Sequence, residues 1–304
     1  MIWALLVFAI LAAAPFVAER LKPAMTNEER ANAPGDFARL PSGFTHYEWF
    51  GPKNGPVLVC IHGLTTPSYV WSELAPSLAK LGFRVLTYDL YGRGYSDMPE
   101  GAQDRRFFIN QLRDLLDDQK VTMPVTLFGY SMGGSIATVF ANALPDRVAG
   151  VVLLAPAGMV HRPGTVANIA QKTYAFGDWL FLALGGFTLM QGFRSQKDAP
   201  EIITRFGRFQ RNEIARRGYL PAVLSSQRNL LAEQLEKDHR DLATMQMPVF
   251  AIWGGVDTAI PLVSRDVLAE WNPNALQAEV KGAGHALAFT HPEAVLAAFQ
   301  TILR

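Results

Sequence analysis

Short apolar runs recur along the chain at Val57–Ile61, Arg84–Tyr88, 125–128, Val148–Leu154 and 249–253. They are continuous rather than strictly alternating, which predicts parallel strands covered on both faces. Residues 45–50 predict a further strand before the turn at Gly51-Pro52, and residues 277–280 another near the end. Between the runs, residues 69–81, 105–119 and Met132–Ala143 have helical spacing; in the second, Phe108, Leu112, Leu115 and Leu116 share one face. This alternation predicts the α/β class, with a mostly parallel central sheet and helices on both faces. A last helix is expected from Thr290-His291-Pro292-Glu293, where Thr290 and Glu293 have capping-box spacing.

Two regions break the rhythm. From 157 to 247 no strand-like run occurs, and helices are expected with breaks at Gly177, Gly185-Gly186, Pro200, Gly218 and Pro221. Residues 179–184 and 187–190 are apolar on nearly all sides, so 157–247 reads as a helical cap inserted over the sheet. The sheet layer is then formed by 43–156 and 248–304. The basic stretch 205–217 reads as a solvated face, with anionic lipid head groups as the alternative. At the other end, residues 1–18 contain no charged side chain and are followed by Glu19-Arg20-Leu21-Lys22. Eighteen helical residues span about 27 Å, just enough to cross a hydrocarbon core. The expectation is a retained membrane anchor, with a cleaved export signal and a start at Met25 as alternatives. Residues 19–42 read as a linker or an arm lying on the domain.

Composition narrows the function. The 304 residues include 28 Lys plus Arg against 27 Asp plus Glu, a net charge of +1 that argues against a nucleic-acid partner. The chain is 49% hydrophobic and only 18% charged, which points to an extensive core and an apolar pocket. The single Cys60 excludes a disulfide framework. No Gly-x-Gly-x-x-Gly follows the first apolar run and no His-carboxylate cluster has ligand spacing, so neither a dinucleotide cofactor nor a metal is expected.

The chemistry is concentrated at Gly129-Tyr130-Ser131-Met132-Gly133. This Gly-x-Ser-x-Gly follows an apolar run and opens a helical pattern, the setting in which a serine hydroxyl is held exposed on a sharp strand-to-helix turn. A serine nucleophile needs a base that is oriented by a third group. His285, in Gly282-Ala283-Gly284-His285, is the candidate base; His291 reads as structural, and His161 and His239 fall in or beside the cap. Asp257, in the loop after run 249–253, is the candidate acid, with Asp266 as the alternative. An oxyanion hole needs two backbone N–H groups. Met132 offers one, and the loop His62-Gly63-Leu64-Thr65 the other, assigned to Leu64 with Gly63 or Thr65 one position away. Thr65, Tyr130, Trp179 and Phe187 are expected to line the substrate pocket.

With these motifs the chain resembles the α/β-hydrolase superfamily over residues 45–304. The resemblance is carried by His62-Gly63, Asp89 with Gly92-Arg93-Gly94-Tyr95-Ser96-Asp97, the Gly129–Gly134 turn, Gly255-x-Asp257 and Gly284-His285. It implies Ser131 as nucleophile, Asp257 as acid and His285 as base, with Arg93 and Asp97 structural. Serine at the nucleophile position separates the chain from dehalogenases and epoxide hydrolases, which carry aspartate there. The pattern is similar to cap-bearing esterases, monoacylglycerol-lipase-like enzymes and hydrolases of ring-cleavage products. The expected reaction is therefore hydrolysis of an apolar, lipid-like ester through an acyl-enzyme. Carbon–carbon hydrolysis of a dienoate and a non-catalytic binding role are the competing readings.

Overall fold

In the computed structural model, which describes residues 1–194 and 201–302, eight strands form one sheet in the order β1-β2-β4-β3-β5-β6-β7-β8. The strands are β1 Asp36–Leu40, β2 Gly43–Phe50, β3 Val57–Ile61, β4 Arg84–Tyr88, β5 Val125–Tyr130, β6 Val148–Leu154, β7 Val249–Gly254 and β8 Leu276–Val280. Strands β3 to β8 run parallel, and β1 and β2 form an antiparallel edge. Early helices are α1 Ile2–Leu21, α2 Asn27–Ala31, α3 Leu74–Lys80, α4 Arg105–Asp118 and α5 Met132–Ala143. After β6 come α6 Thr165–Lys172, α7 Ala175–Arg194, α8 Glu201–Ala215, α9 Tyr219–Arg228 and α10 Glu236–Thr244. The chain closes with α11 Val263–Trp271, α12 Leu287–Thr290 and α13 Pro292–Gln300.

The continuous apolar strands are explained by two cores. Val59 and Ile61 of β3 point into a cluster with Phe108 and Leu112 of α4 and Ile136 and Phe140 of α5. Leu58 and Cys60, one residue out of phase, point into the opposite cluster with Leu74 of α3 and Val295 and Phe299 of α13. A strand whose alternate side chains are both buried cannot show polar alternation. The chain order reverses at β3, which lies between β4 and β5. Such a switch point opens a crevice at the carboxyl ends of the strands.

Several local expectations are corrected. Residues 36–40 form the edge strand β1, paired in register from Asp36–Tyr47 to Leu40–Gly43, so the 19–42 segment is partly built into the sheet. Only Ala38 and Leu40 of β1 are buried, too faint a pattern to read as a strand. The 69–81 helix is divided into a 3-10 turn, Ser68–Trp71, and α3. Pro76 has no N–H to bond back one turn, so the regular helix starts beside it. The Thr290 hydroxyl donates to the Ala286 carbonyl at 3.0 Å and thereby ends α12; His291, without a side-chain cap, precedes α13. The capping box belongs instead to Thr26 and Glu29 at α2.

The inserted region is helical, as its pattern predicts, and Gly218, at φ 90°, breaks it before α9 as expected, but three other glycines do not. Gly177, Gly185 and Gly186 all lie inside α7. A Cβ on Gly177 would stand 2.5 Å from the Ala170 carbonyl oxygen and 2.8 Å from Thr173 Oγ1 and Arg228 Nη2, and one on Gly186 2.8 Å from Ile214 Cγ2. They are points of close helix approach. Pro221 sits in the tolerated first turn of α9, and Pro200 lies outside the described residues. The helix α10 packs back on α5, with Leu242 in the same cluster as Ile136.

Candidate active site

The turn from β5 to α5 is built by sterics. Ser131 has φ 55° and ψ −117°, a left-handed conformation costly for a residue with a Cβ. The glycines around it make that conformation attainable. A Cβ on Gly129 would collide with the Gly133 carbonyl, one on Gly133 with the Ile61 carbonyl, and one on Gly134 would lie 2.6 Å from Pro156 Cβ. Two backbone bonds then fix the turn: Ser131 N–H donates to Leu154 at 2.9 Å, and the Ala157 N–H donates to Ser131 O at 3.0 Å.

Two loops at the same sheet end complete the group. His285 Nε2 lies 3.0 Å from Ser131 Oγ, and its Nδ1 lies 2.7 Å from Asp257 Oδ2. The Asp257 carboxylate is fully enclosed, and its other oxygen accepts the N–H groups of Ala259 at 2.8 Å and Ile260 at 2.9 Å. With Asp257 accepting at Nδ1, the imidazole carries its proton there and leaves Nε2 open to the serine proton. Tyr130 donates its hydroxyl to the His285 carbonyl at 2.7 Å, tying the nucleophile turn to the histidine loop.

The loop after β3 is oriented just as firmly. Leu90 N–H donates to His62 Nε2 at 2.8 Å, so His62 carries its proton on Nδ1, which donates to the Gly63 carbonyl at 2.8 Å. Complete burial depresses the His62 pKa to about 4 and keeps it neutral. A trans peptide points its N–H away from its carbonyl. The Gly63 carbonyl faces His62, so the Leu64 N–H faces the other way, beside Ser131; the Gly63 Cβ position lies 3.3 Å from Ser131 Cβ. Among the described residues, neither Leu64 N–H nor Met132 N–H has an acceptor. Arg93, wholly buried, donates to Leu64 O at 3.0 Å, Tyr91 O at 3.1 Å and Ser226 Oγ at 2.8 Å, and also to Gln103. Asp97 accepts the Phe44 N–H at 2.7 Å and pairs with Arg30. Both residues hold structure.

A cavity of about 670 Å³ opens over Ser131 and His285. Thr65 and Tyr130 line it, together with Leu64, Phe181, Leu189 and Phe289. Trp179 and Phe187 do not. At 100° per residue they lie about 160° and 120° round α7 from Phe181, which faces the cavity. Trp179 is turned to α1, and Phe187 is exposed. A helix apolar on every side carries no phase, so the sequence offered no way to choose among its aromatics. Among the lining residues missed is one histidine, His161. The Arg162 N–H donates to Ala259 O at 3.0 Å and Ser264 Oγ to Val160 O at 3.1 Å, which holds His161 over the Asp257 loop. Burial and the nearby His285 lower its pKa.

The family model described as alpha/beta hydrolase fold matches residues 56–292. A Mycobacterium tuberculosis protein without an assigned function is 26% identical over 256 residues, 76% of this chain and 70% of its own. The pimeloyl-[acyl-carrier protein] methyl ester esterase of Vibrio campbellii is 29% identical over 82% of this chain and 94% of its own. The enol-lactonase from Burkholderia xenovorans LB400 superposes with a TM-score of 0.73 at 22% identity, over 88% of this chain and 99% of that one, a likeness of fold.

Proposed function

The chain belongs to the α/β-hydrolase family, and we propose that it is a serine esterase in which Ser131, His285 and Asp257 carry the reaction. The observation behind this is the unbroken series Ser131 Oγ–His285–Asp257, at 3.0 and 2.7 Å, on the floor of the cavity. As Ser131 Oγ attacks the ester carbonyl, His285 Nε2 takes its proton. Asp257 stabilises the imidazolium that forms. The Met132 and Leu64 N–H groups face the developing oxyanion, each worth roughly 3 kcal/mol of barrier in related chemistry. The imidazolium then protonates the leaving alcohol. Water attacks the acyl-enzyme with His285 as base, and the acid departs.

Phe181, Leu189, Ala167 and Phe289 give the cavity an apolar wall, which favours an apolar acyl or alcohol part. The relatives above include proteins named as an ester esterase and a lactonase, which supports hydrolysis of a carboxylic ester. A panel of p-nitrophenyl esters from acetate to palmitate, run beside a ring-fission dienoate, tests the reading. Ester turnover is expected, with Ser131→Ala lowering kcat about 100,000-fold while the fold persists. Turnover of the dienoate with silence across the esters would replace it with carbon–carbon hydrolysis.

The apolar α1, 20 residues long and almost wholly exposed, is a retained membrane anchor in this reading. Its support is length, about 30 Å, and the basic Arg20 and Lys22 at its end. Full-length protein should float with vesicles, and a chain begun at Thr26 should not.

A further inference from the structure

The helix α1 is not attached to the domain only at its end. Pro15 lies inside it, so the Leu11 carbonyl one turn earlier has no helical N–H to accept. The Trp179 indole N–H of α7 donates to that carbonyl at 3.0 Å. Lower down, Glu19 is buried and accepts the Gly218 N–H at 2.7 Å, and the Arg217 N–H donates to Pro23 O at 2.9 Å. The helix is thus clamped to the cap from Glu19 back to Leu11. Leu11 is about 14 Å along the helix from Arg20. A helix that crosses the hydrocarbon with this clamp intact carries the contacting part of α7 in with it.

The outer surface of α7 suits that position. Phe176, Leu180, Ala183, Leu184 and Phe187 recur at helical spacing on one stripe, and Phe176, Leu184 and Phe187 are 58, 44 and 55% exposed. Phe176 stacks on Trp179, 6.3 Å between ring centres and 15° between planes, which joins the stripe to the α1 contact. The neighbouring α8 exposes Arg208 and Arg211, neither paired with a carboxylate among the described residues. Cations flanking an apolar stripe match an anionic lipid surface. The Arg228–Asp178 pair lies beside Phe16, about 6 Å from Arg20, at headgroup depth where a long side chain reaches water.

We infer that α7 is a second membrane-embedded element, its outward stripe set among the acyl chains of a bilayer beside α1. The inference rests on the reading that α1 enters the membrane. It has a consequence for substrate: the opposite side of the same helix, through Phe181 and Leu189, walls the cavity over Ser131. A single helix then separates lipid from the candidate nucleophile.

The test uses the full chain in vesicles of phosphatidylcholine and phosphatidylglycerol, with an environment-sensitive fluorophore on Phe176→Cys, Leu184→Cys or Met123→Cys. Cys60 is buried and takes no label. Met123, exposed before β5, marks the end of the sheet remote from the cap. Labels at 176 and 184 should shift to the blue on adding vesicles and be quenched several-fold more by nitroxide lipids than the label at 123. Trp179→Phe should reduce that quenching while the protein still floats. Floating protein whose 176 and 184 labels stay in water overturns the inference and leaves the anchor standing. Protein that does not float overturns both. Labels that become buried without lipid as protein concentration rises identify a second copy as the occupant and overturn it too.

Discussion

The β5–α5 turn and the middle of the helix α7 above it are both rich in glycine, and those glycines do opposite work. At Gly129 and Gly133 the space for a Cβ is occupied by backbone carbonyls of Gly133 and Ile61. At Gly185 and Gly186 it is bounded by the side chains of Phe181 and Ile214. Backbone inside a sheet cannot retreat, whereas a side-chain end can turn aside. The nucleophile is therefore placed by a constraint with no slack, and the pocket wall by packing that can be readjusted. Chemistry and specificity sit about one helix apart under different rules.

The sharpest way to break this contrast is a pair of alanines. Gly133→Ala should cost about 3 kcal/mol or more, since overpacking here displaces β3 itself. Gly186→Ala should cost under about 1 kcal/mol, because the gain in helix propensity offsets a small shift of Ile214. Urea denaturation of both proteins checks the pair; equal losses would erase the distinction. Next in size is Arg93, the point at which the two regimes meet. Arg93→Met leaves the Leu64 carbonyl and the Ser226 hydroxyl without their Arg93 donor and the Tyr91 carbonyl with Gln103 alone, a loss of about 3 kcal/mol. Because Leu64 also loses its orientation, kcat should fall with stability, whereas a purely structural defect would spare kcat in the folded fraction.

The pocket wall should respond more mildly and selectively. Phe181→Ala enlarges the cavity and should move the preference between short and long esters by about 10-fold in kcat/KM. An unchanged chain-length profile would remove α7 from the binding surface. A further effect concerns pH. Glu213 of α8 accepts the Gly94 N–H at 2.7 Å, and its burial raises its pKa to about 8. Between the ordinary glutamate value and 8, the unfolded chain ionises while the folded chain keeps the proton. Cap stability therefore falls as pH rises through that window and levels off above it. Glu213→Gln should flatten the decline, read from thermal melts at pH 5 and pH 8.

The same contrast decides what could be read from sequence. The turn at Ser131 was legible because a backbone constraint demands glycine, and glycine is visible. The strands were legible because a layer covered on both sides must be apolar throughout. His285 and Asp257 were legible from their glycine-bearing loops after strands. The pocket was not: α7 is apolar on every side, and only the fold reveals which way it is turned, with Trp179 toward α1 and Phe181 toward the cavity. Its glycines misled for the same reason, marking close approach where breaks were expected. His161 was hidden because its place depends on backbone bonds to Ala259 and Ser264, which leave no trace in local pattern. The edge strand β1 was hidden because half of it faces water.

Arg93 also bears on how such a chain can drift over generations. Its guanidinium answers to Gln103 in the sheet layer and to Ser226 and the Ala222 carbonyl in the inserted helices. Descendants that keep Arg93 should keep Gln103 and Ser226 with it, and those that lose it should lose all three together. Arg93 thus ties the inserted region to the sheet layer, beside the Glu213 bond to the Gly94 N–H and the Tyr219 bond to the Thr65 carbonyl.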